Sequence, residues 1–178
     1  TPHGLDATEH YTTAYDLAIL TNYALQNETF SKIVKTKSTT ISMNGYSKSI
    51  NNTHELLGYI DGVYGVKTGF TGNAGRCLVT ACKRNNLDII IVILGADTKK
   101  IRSTDTINLI NYIYDNFEMF DTHNILQEKF QLSHIFIQNT YQEPKLYLEN
   151  KDNYIYPIMK KNKDFNTKIY ILNNIKAP

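Results

Sequence analysis

Gly62-Val63-Tyr64-Gly65-Val66-Lys67-Thr68-Gly69-Phe70-Thr71 is the stretch around which the fold of this 178-residue chain is predicted to be organised. β-Branched and aromatic residues between glycines predict a strand, and Gly72-Asn73 predicts the turn that ends it. Lys67 is a cation in an otherwise glycine- and valine-rich strand, where strand propensity gives no reason for it. Gly69 is equally unexpected, because a glycine within a strand often marks the close approach of another backbone or a ligand.

The three consecutive residues Lys67, Thr68 and Gly69 combine a cation, a hydroxyl and a bare backbone. An ammonium neutralises a carboxylate, a hydroxyl hydrogen-bonds it, and a glycine leaves room for main-chain pairing. The stretch therefore predicts a sheet edge on which an extended peptide docks by its terminal carboxylate.

The residues before this strand predict two helices and a hairpin. Thr13, followed by Asp16, is typical of a helix start, in which the hydroxyl and the carboxylate cap the first turn. A stripe of apolar residues then continues to Leu25, and residues 29–34 predict a second short helix. Asn44-Gly45 lies within a polar alternating segment and predicts a hairpin turn.

The residues after the strand predict two further strands and a helix. Residues 76–83 and 88–95 are joined by a short polar connection, which predicts a three-strand antiparallel meander. Residues 89–94 are apolar on both faces, which predicts a central strand, and residues 104–117 carry a helical stripe. The predicted fold class is α+β, an antiparallel sheet with packed helices.

The character of the sequence changes near Asp121. Short alternating runs, separated by Asn, Asp, Pro and Lys, predict a small all-β domain. The runs are residues 128–138, 145–149, 154–159 and 168–172. We therefore predict domains at residues 1–120 and 121–178.

Several motifs in order resemble the serine D-alanyl-D-alanine carboxypeptidases, the low-molecular-mass penicillin-binding proteins. They are Thr1-Pro2-His3-Gly4-Leu5-Asp6, residues 10–18, residues 62–69 with Lys67-Thr68-Gly69 at their end, residues 74–79, and the apolar run at residues 89–94 that closes on Gly95-Ala96-Asp97. The resemblance covers residues 1–118 well and the remainder loosely. It implies that the predicted domains are part of a transpeptidase- or β-lactamase-like domain followed by a C-terminal β domain.

The chain departs from this family in its nucleophile. The family has Ser-x-x-Lys and Ser-x-Asn motifs ahead of Lys-Thr-Gly, and the 178 residues contain no Ser-x-x-Lys. Thr29-Phe30-Ser31-Lys32 and Ser49-Ile50-Asn51 match parts of these patterns by coincidence, because both follow Pro2-His3-Gly4, whereas the family's own two motifs precede that segment. We expect a C-terminal part of a longer protein, which on its own is inactive.

The resemblance also implies roles for five residues. Lys67, Thr68 and Gly69 would bind the substrate carboxylate and backbone, with Lys67 also serving the catalytic proton network. The N–H of Phe70 would be half of the oxyanion hole. Arg102 would add charge to the carboxylate pocket, or would be a solvated residue at a helix start. Arg76 faces either the cleft or solvent.

The implied partners are a peptidoglycan stem peptide ending in D-Ala-D-Ala, β-lactams, and the preceding part of the same protein. The resemblance also implies a location at the bacterial cell surface, with export and membrane association of the full-length protein. We expect no cofactor and no metal, since the histidines and cysteines lack ligand spacing.

With 19 basic and 17 acidic residues, the charge gives no indication of nucleic-acid binding. The longest apolar run, residues 89–94, is far shorter than the roughly 18 residues that a membrane-spanning helix needs.

Two alternatives remain open at the level of sequence. One is a non-catalytic peptide- or penicillin-binding module that retains the strand and lacks the serine. The other is a serine β-lactamase relative, against which the loop at residues 2–6 and the trailing β region argue. Cys77 and Cys82 are five residues apart in one predicted strand, so they face opposite ways and are expected to be free thiols.

Overall fold

The computed structural model describes residues 3–121, 135–137, 140–142 and 155–159. It begins with two helices, α1 (Ala14–Leu25) and α2 (Glu28–Lys35). Thr13 caps α1 as predicted: its Oγ1 accepts from the Asp16 N–H at 3.1 Å, and Asp16 Oδ2 accepts from the Thr13 N–H at 3.3 Å. Asn27 caps α2, since its Oδ1 accepts from the Phe30 N–H at 3.0 Å.

A hairpin follows the helices. Strands β1 (Ser38–Met43) and β2 (Tyr46–Asn51) pair antiparallel and form a sheet of their own. Asn44 and Gly45 both have positive φ angles, 52° and 84°, which is the conformation that a two-residue hairpin turn requires. The predicted turn is confirmed.

The main sheet is the predicted antiparallel meander. Its strands are β3 (Val63–Thr71), β4 (Gly75–Arg84) and β5 (Leu87–Ala96), in the order β3-β4-β5. The prediction that residues 89–94 form the central strand is wrong for the described residues, because β4 lies in the middle and β5 at an edge. β5 is apolar on both faces because helices cover both sides of the sheet. Burial of both faces by helices does not require a strand to have a neighbouring strand at each edge.

Two apolar clusters lie on opposite faces of this sheet. On one face α3 (Lys99–Asn116) packs through Ile110 against a cluster that includes Leu56, Leu78 and Ile91. On the other face Val34 of α2 packs with Val66 and Ala81. Burial of these side chains from both sides stabilises the sheet by the hydrophobic effect.

Helix α3 is longer at its start than predicted. It begins at Lys99, because the Thr98 hydroxyl accepts from the Ile101 N–H at 3.1 Å and so caps the first turn. The helix ends at Asn116, and Phe117 opens a strand. The five added residues at the start bring Arg102 inside the helix.

The chain divides into two units, Thr1–Asp115 and Asn116–Pro178. In the second unit β6 (Phe117–Asp121) pairs with β9 (Ile155–Met159), and β7 (Ile135–Ile137) pairs with β8 (Thr140–Gln142). The predicted runs at 145–149 and 168–172 lie outside the described residues. The small all-β domain and the boundary at residues 120 and 121 therefore stay predictions.

Helix α1 carries an exposed apolar face. Leu20, which belongs to its predicted apolar stripe, is 58% exposed, and Tyr15, Ile19 and Tyr23 are also exposed. No described element covers this side of the helix. None of the described helices is both long and apolar enough to cross a membrane.

We predict that Gly62→Ala destabilises the fold. Gly62 has a φ of +78°, and a Cβ there would lie 2.5 Å from the Lys83 carbonyl oxygen. A left-handed non-glycine residue with such a contact costs about 2 kcal/mol or more. Urea denaturation measures the change in the free energy of unfolding.

The matched control is Gly72→Ala in the turn after β3, where an added Cβ meets nothing within 4 Å. Its free energy of unfolding is expected to change by less than about 0.5 kcal/mol. Equal stability of the two variants would contradict the prediction.

Candidate active site

The predicted docking residues lie on an edge strand. Lys67, Thr68 and Gly69 stand opposite Val79, Leu78 and Cys77 of β4. Among the described residues, β3 pairs with β4 alone, so its other edge presents unpaired main-chain groups. Such an edge can accept an extended peptide as an added strand.

The side chains of Lys67 and Thr68 are positioned by short polar contacts. Lys67 Nζ is exposed and donates a hydrogen bond to the Thr68 carbonyl oxygen at 2.6 Å. Thr68 Oγ1 lies 2.6 Å from Thr53 Oγ1 in the segment between β2 and β3. A cation and two hydroxyls are thus held beside the free edge.

These groups border a cavity of about 710 Å³ that is rich in positive charge. Four of the lining residues are cations, and none of the described lining residues is acidic. A site of this composition attracts and binds anions such as carboxylates. The cavity is lined by His3, Gly4, Thr53, Lys67, Thr68, Gly69, Phe70, Arg76, Lys99 and Arg102.

Arg102 borders this cavity but is buried, with 3% of its surface exposed. Its Nη1 donates to the Cys77 carbonyl at 3.1 Å, and its Nη2 makes an ion pair with Glu55. The same Glu55 oxygen accepts from the Ser103 hydroxyl at 2.6 Å. Arg102 is therefore neither a solvated residue nor a wholly free cation, and its buried Nε has no hydrogen-bond partner.

The ion pair determines the charge of Glu55. Partial burial alone would raise the pKa of the Glu55 carboxyl, but the hydrogen bonds from Arg102 and Ser103 outweigh it and hold the pKa below its ordinary value. Glu55 is consequently ionised at neutral pH and compensates the buried guanidinium.

The residue before Glu55 is a buried histidine. His54 Nε2 lies 3.0 Å from Thr80 Oγ1 on β4, and the main-chain N–H of His54 donates to Asn52 Oδ1 at 3.0 Å. Burial lowers the pKa of His54, so the imidazole is neutral at neutral pH. We assign it a structural position beneath the site, since it does not line the cavity.

Gly69 leaves open space on the strand. A Cβ at this position would meet only Cys77 Cβ at 3.5 Å, which is ordinary van der Waals contact. Packing within the described chain therefore does not require glycine here. The room it leaves is available to a ligand that approaches the strand.

Phe70 and Arg76 form one wall of the cavity. The Arg76 guanidinium lies 3.6 Å from the centroid of the Phe70 ring, and the two residues stand opposite each other on β3 and β4. The Phe70 side chain is 58% exposed. Of the two orientations that the sequence left open for Arg76, the structure places it at the cavity.

A second cavity, of about 440 Å³, borders Lys67, Thr68 and Gly69 and has a mainly apolar lining. Strand β3 thus lies between a cationic cavity and an apolar one. A ligand with a carboxylate and small apolar groups fits this arrangement, with the carboxylate in the cationic cavity and the apolar groups in the other. Its other lining residues are Leu17, Leu20, Thr21, Ala24, Phe30, Val34, Val66, Cys77, Leu78, Val79 and Leu94.

The two partial matches to the family's serine motifs, at residues 29–32 and 49–51, lie away from the candidate site. Thr29 and Ser31 are on α2, and Ser49 is on β2 opposite Thr40. None of them lines either cavity that borders Lys67. They are not placed to act on a ligand bound there.

Sequence reasoning missed Thr53, Glu55 and Lys99. Thr53 and Glu55 lie in the segment between β2 and β3, where no strand or helix periodicity indicates which side chains face the site. Lys99 was missed because the helix start was placed too late. Thr98, a hydroxyl residue just before Lys99, was the available capping signal.

The described residues contain no group of three or more His, Cys, Asp or Glu side chains placed to hold a metal ion. Cys77 is half-buried, Cys82 is buried, and both are free thiols, as predicted. Burial raises the pKa of the Cys82 thiol, so it is protonated and unreactive at neutral pH.

Comparisons with known proteins identify relatives of this chain. A family model described as D-alanyl-D-alanine carboxypeptidase matches residues 1–98. The chain is 31% identical to the D-alanyl-D-alanine carboxypeptidase DacF of Bacillus subtilis over 99% of its own length, but spans only 45% of that protein. It is 35% identical to the D-alanyl-D-alanine carboxypeptidase DacA of Haemophilus influenzae over 68% of its length and 31% of that protein.

Solved structures agree with these relatives. A mutant of a Streptomyces DD-transpeptidase superimposes with a TM-score of 0.54 at 33% identity, over 58% of this chain and 42% of that one. A Listeria monocytogenes penicillin-binding protein with cefotaxime bound gives 0.53 at 29% identity, over 61% and 44%. The predicted α+β fold of the transpeptidase class is confirmed.

We predict that Glu55→Gln destabilises the protein by about 2 kcal/mol at neutral pH, because Arg102 loses its anionic partner while remaining buried. The folded-state pKa of Glu55 is depressed, so its contribution is present above its ordinary pKa of 4.5 and is lost as the pH falls through the lower folded value. Thermal denaturation from about pH 7 to about pH 3 measures the difference from wild type.

The difference in melting temperature is expected to be largest near neutral pH and to shrink in acid. Glu9→Gln, which alters an exposed carboxylate ahead of α1, is the control and should match wild type throughout. A difference that is constant over the whole pH range would show that the Glu55 charge is not what Arg102 requires.

Proposed function

Because the chain belongs to the D-alanyl-D-alanine carboxypeptidase family, we propose that it supplies the substrate-binding side of a serine-type enzyme. That enzyme removes the terminal D-alanine from peptidoglycan stem peptides and binds penicillin. The observation that carries the proposal is the placement of Lys67-Thr68-Gly69 on a free sheet edge beside a cation-lined cavity.

The substrate peptide adds to β3 as a further strand. Its terminal carboxylate lies at the cationic cavity, where Lys67 neutralises it and the Thr68 hydroxyl donates a hydrogen bond. Arg102 adds positive potential from the wall of the cavity, although Glu55 compensates part of its charge. Gly69 allows the peptide backbone to approach.

The chemistry requires a serine that is not among these 178 residues, which contain no Ser-x-x-Lys. That serine attacks the carbonyl between the two D-alanines, forming an ester as the C–N bond breaks and the amine leaves with a proton. Water then hydrolyses the ester. The Phe70 N–H stabilises the oxyanion together with the N–H of the serine.

We place the serine on a segment that packs at the apolar cavity beside Lys67. This cavity is bordered by α1, whose exposed apolar side chains are suited to being covered. β-Lactams enter the same place because their ring carbonyl and carboxylate mimic the acyl-D-Ala-D-Ala end. Because its substrate is peptidoglycan, such an enzyme acts at the bacterial cell surface. The full-length protein supplies the segments for export and anchoring.

Labelling with a fluorescent penicillin tests the division of the site. We expect covalent label on the full-length gene product and none on the 178-residue chain, each denatured before detection. Label on neither protein would favour the non-catalytic binding module. Stable label on the 178-residue chain would instead place a nucleophile at Thr29, Ser31 or Ser49 and contradict the proposal.

In the full-length product, Lys67→Ala is expected to lower the rate of penicillin acylation by about 100-fold or more, because the site loses the charge that binds and orients the carboxylate. The rate is measured by stopping the labelling reaction at increasing times and determining the amount of covalently bound fluorescent penicillin. Lys48→Ala on β2 removes a lysine that does not line the cavity and is the matched control. Unchanged acylation in Lys67→Ala would remove Lys67 from the site.

A further inference from the structure

We propose that Thr53 is a positioning residue for the reaction: its hydroxyl donates a hydrogen bond to Thr68 Oγ1, so that the Thr68 proton is directed at the substrate carboxylate. This inference rests on the proposed function and adds a residue to it. Thr53 lies in the segment between β2 and β3, 14 residues before Lys67 and outside the Lys67-Thr68-Gly69 motif.

The contact between the two hydroxyls has one consistent direction once a carboxylate is bound. Thr53 Oγ1 lies 2.6 Å from Thr68 Oγ1, and both residues line the cationic cavity. A hydroxyl carries a single proton, and an ionised carboxylate can only accept. If Thr68 gives its proton to the ligand, the proton shared between the two hydroxyls has to be that of Thr53.

Donation by Thr53 prepares the Thr68 hydroxyl for a carboxylate in two ways. It occupies one lone pair of Thr68 Oγ1, which leaves the Thr68 proton to point away from Thr53; a hydroxyl without such a donor rotates to whichever acceptor is near. Hydrogen bonds in a chain also polarise one another, so a Thr68 hydroxyl that accepts from Thr53 is a stronger donor.

The backbone that carries Thr53 is fixed on both sides. The Asn52 amide donates to the main-chain carbonyls of Val34 at 3.2 Å and Thr36 at 3.1 Å, where α2 ends. Asn52 Oδ1 accepts from the His54 N–H at 3.0 Å, and the buried His54 ring contacts β4. The Thr53 hydroxyl is therefore presented to β3 by a preorganised segment, which lowers the conformational freedom lost when a ligand binds.

The side chain of Thr53 can be altered without removing a buried group. Thr53 is exposed, whereas its neighbours His54 and Leu56 are buried. Valine has the shape of threonine and lacks the hydroxyl, and serine keeps the hydroxyl and lacks the methyl group. These two substitutions separate the hydrogen bond from the shape of the side chain.

The test uses the full-length gene product and two ester acyl donors with the same N-acyl-D-alanyl group. The leaving group of one is D-lactic acid, which carries the carboxylate, and that of the other is the neutral amide of the same acid. The ester is more reactive than a peptide bond, which favours measurable acylation without the carboxylate. kcat/KM is determined for each donor, and the melting temperature for each variant.

Thr53→Val is expected to lower kcat/KM for the carboxylate donor by about fivefold or more and that for the amide donor by less than about twofold. Thr53→Ser is expected to stay within about twofold of wild type with both donors, because it keeps the hydroxyl. In a Thr68→Val background, adding Thr53→Val is expected to cost less than about twofold, since its effect passes through Thr68.

Thr40→Val on β1 removes a hydroxyl outside both cavities that border Lys67 and is the matched control, expected to match wild type with both donors. Unchanged kinetics in Thr53→Val, an equal loss with both donors, or an undiminished effect in the Thr68→Val background would overturn this inference and leave the proposed function intact. A wild-type protein that turns over neither donor and takes no penicillin label would overturn the proposed function, and the role of Thr53 with it.

Discussion

Three consecutive residues, Thr53, His54 and Glu55, hold the candidate site together. Each side chain contacts a different element: Thr53 the hydroxyl of Thr68 on β3, His54 the hydroxyl of Thr80 on β4, and Glu55 the guanidinium of Arg102 on α3. Leu56, the next residue, is buried in the core. These contacts are short, and the one to Thr80 is buried while the one to Arg102 is part-buried, so together they tie the strand edge, the sheet and the helix to one another.

The electrostatics of the site follow from the same segment. Glu55 allows a guanidinium to be buried in the wall of the cavity, and the neutral His54 adds no charge beneath it. The cations that remain at the surface of the cavity, Lys67, Arg76 and Lys99, are therefore the ones available to a ligand. On the other side of Lys67 the lining is mainly apolar, so the strand lies between two spaces of different chemistry.

Local features were predictable because they depend on near neighbours in sequence. The capping pair Thr13 and Asp16, the hairpin turn at Asn44-Gly45 and the meander that begins with the Lys67 strand all appear as expected. The start of α3 was misplaced because its cap, Thr98, precedes two lysines that interrupt the apolar stripe. The prediction that residues 89–94 form the central strand was wrong. An apolar strand is one whose two faces are buried, and packed helices can bury both faces of a strand at the edge of a sheet.

By itself, the sequence determined the family, the α+β class and the strand that bears Lys67, Thr68 and Gly69, since motif order and short-range patterning carry that information. Only the tertiary structure decided what surrounds the strand. The burial of Arg102 against Glu55, 47 residues apart, and the stacking of Arg76 on Phe70 depend on which faces meet after packing. A one-dimensional pattern specifies the period of each element but not the rotation at which two elements meet, and that rotation places the charges around the cavity.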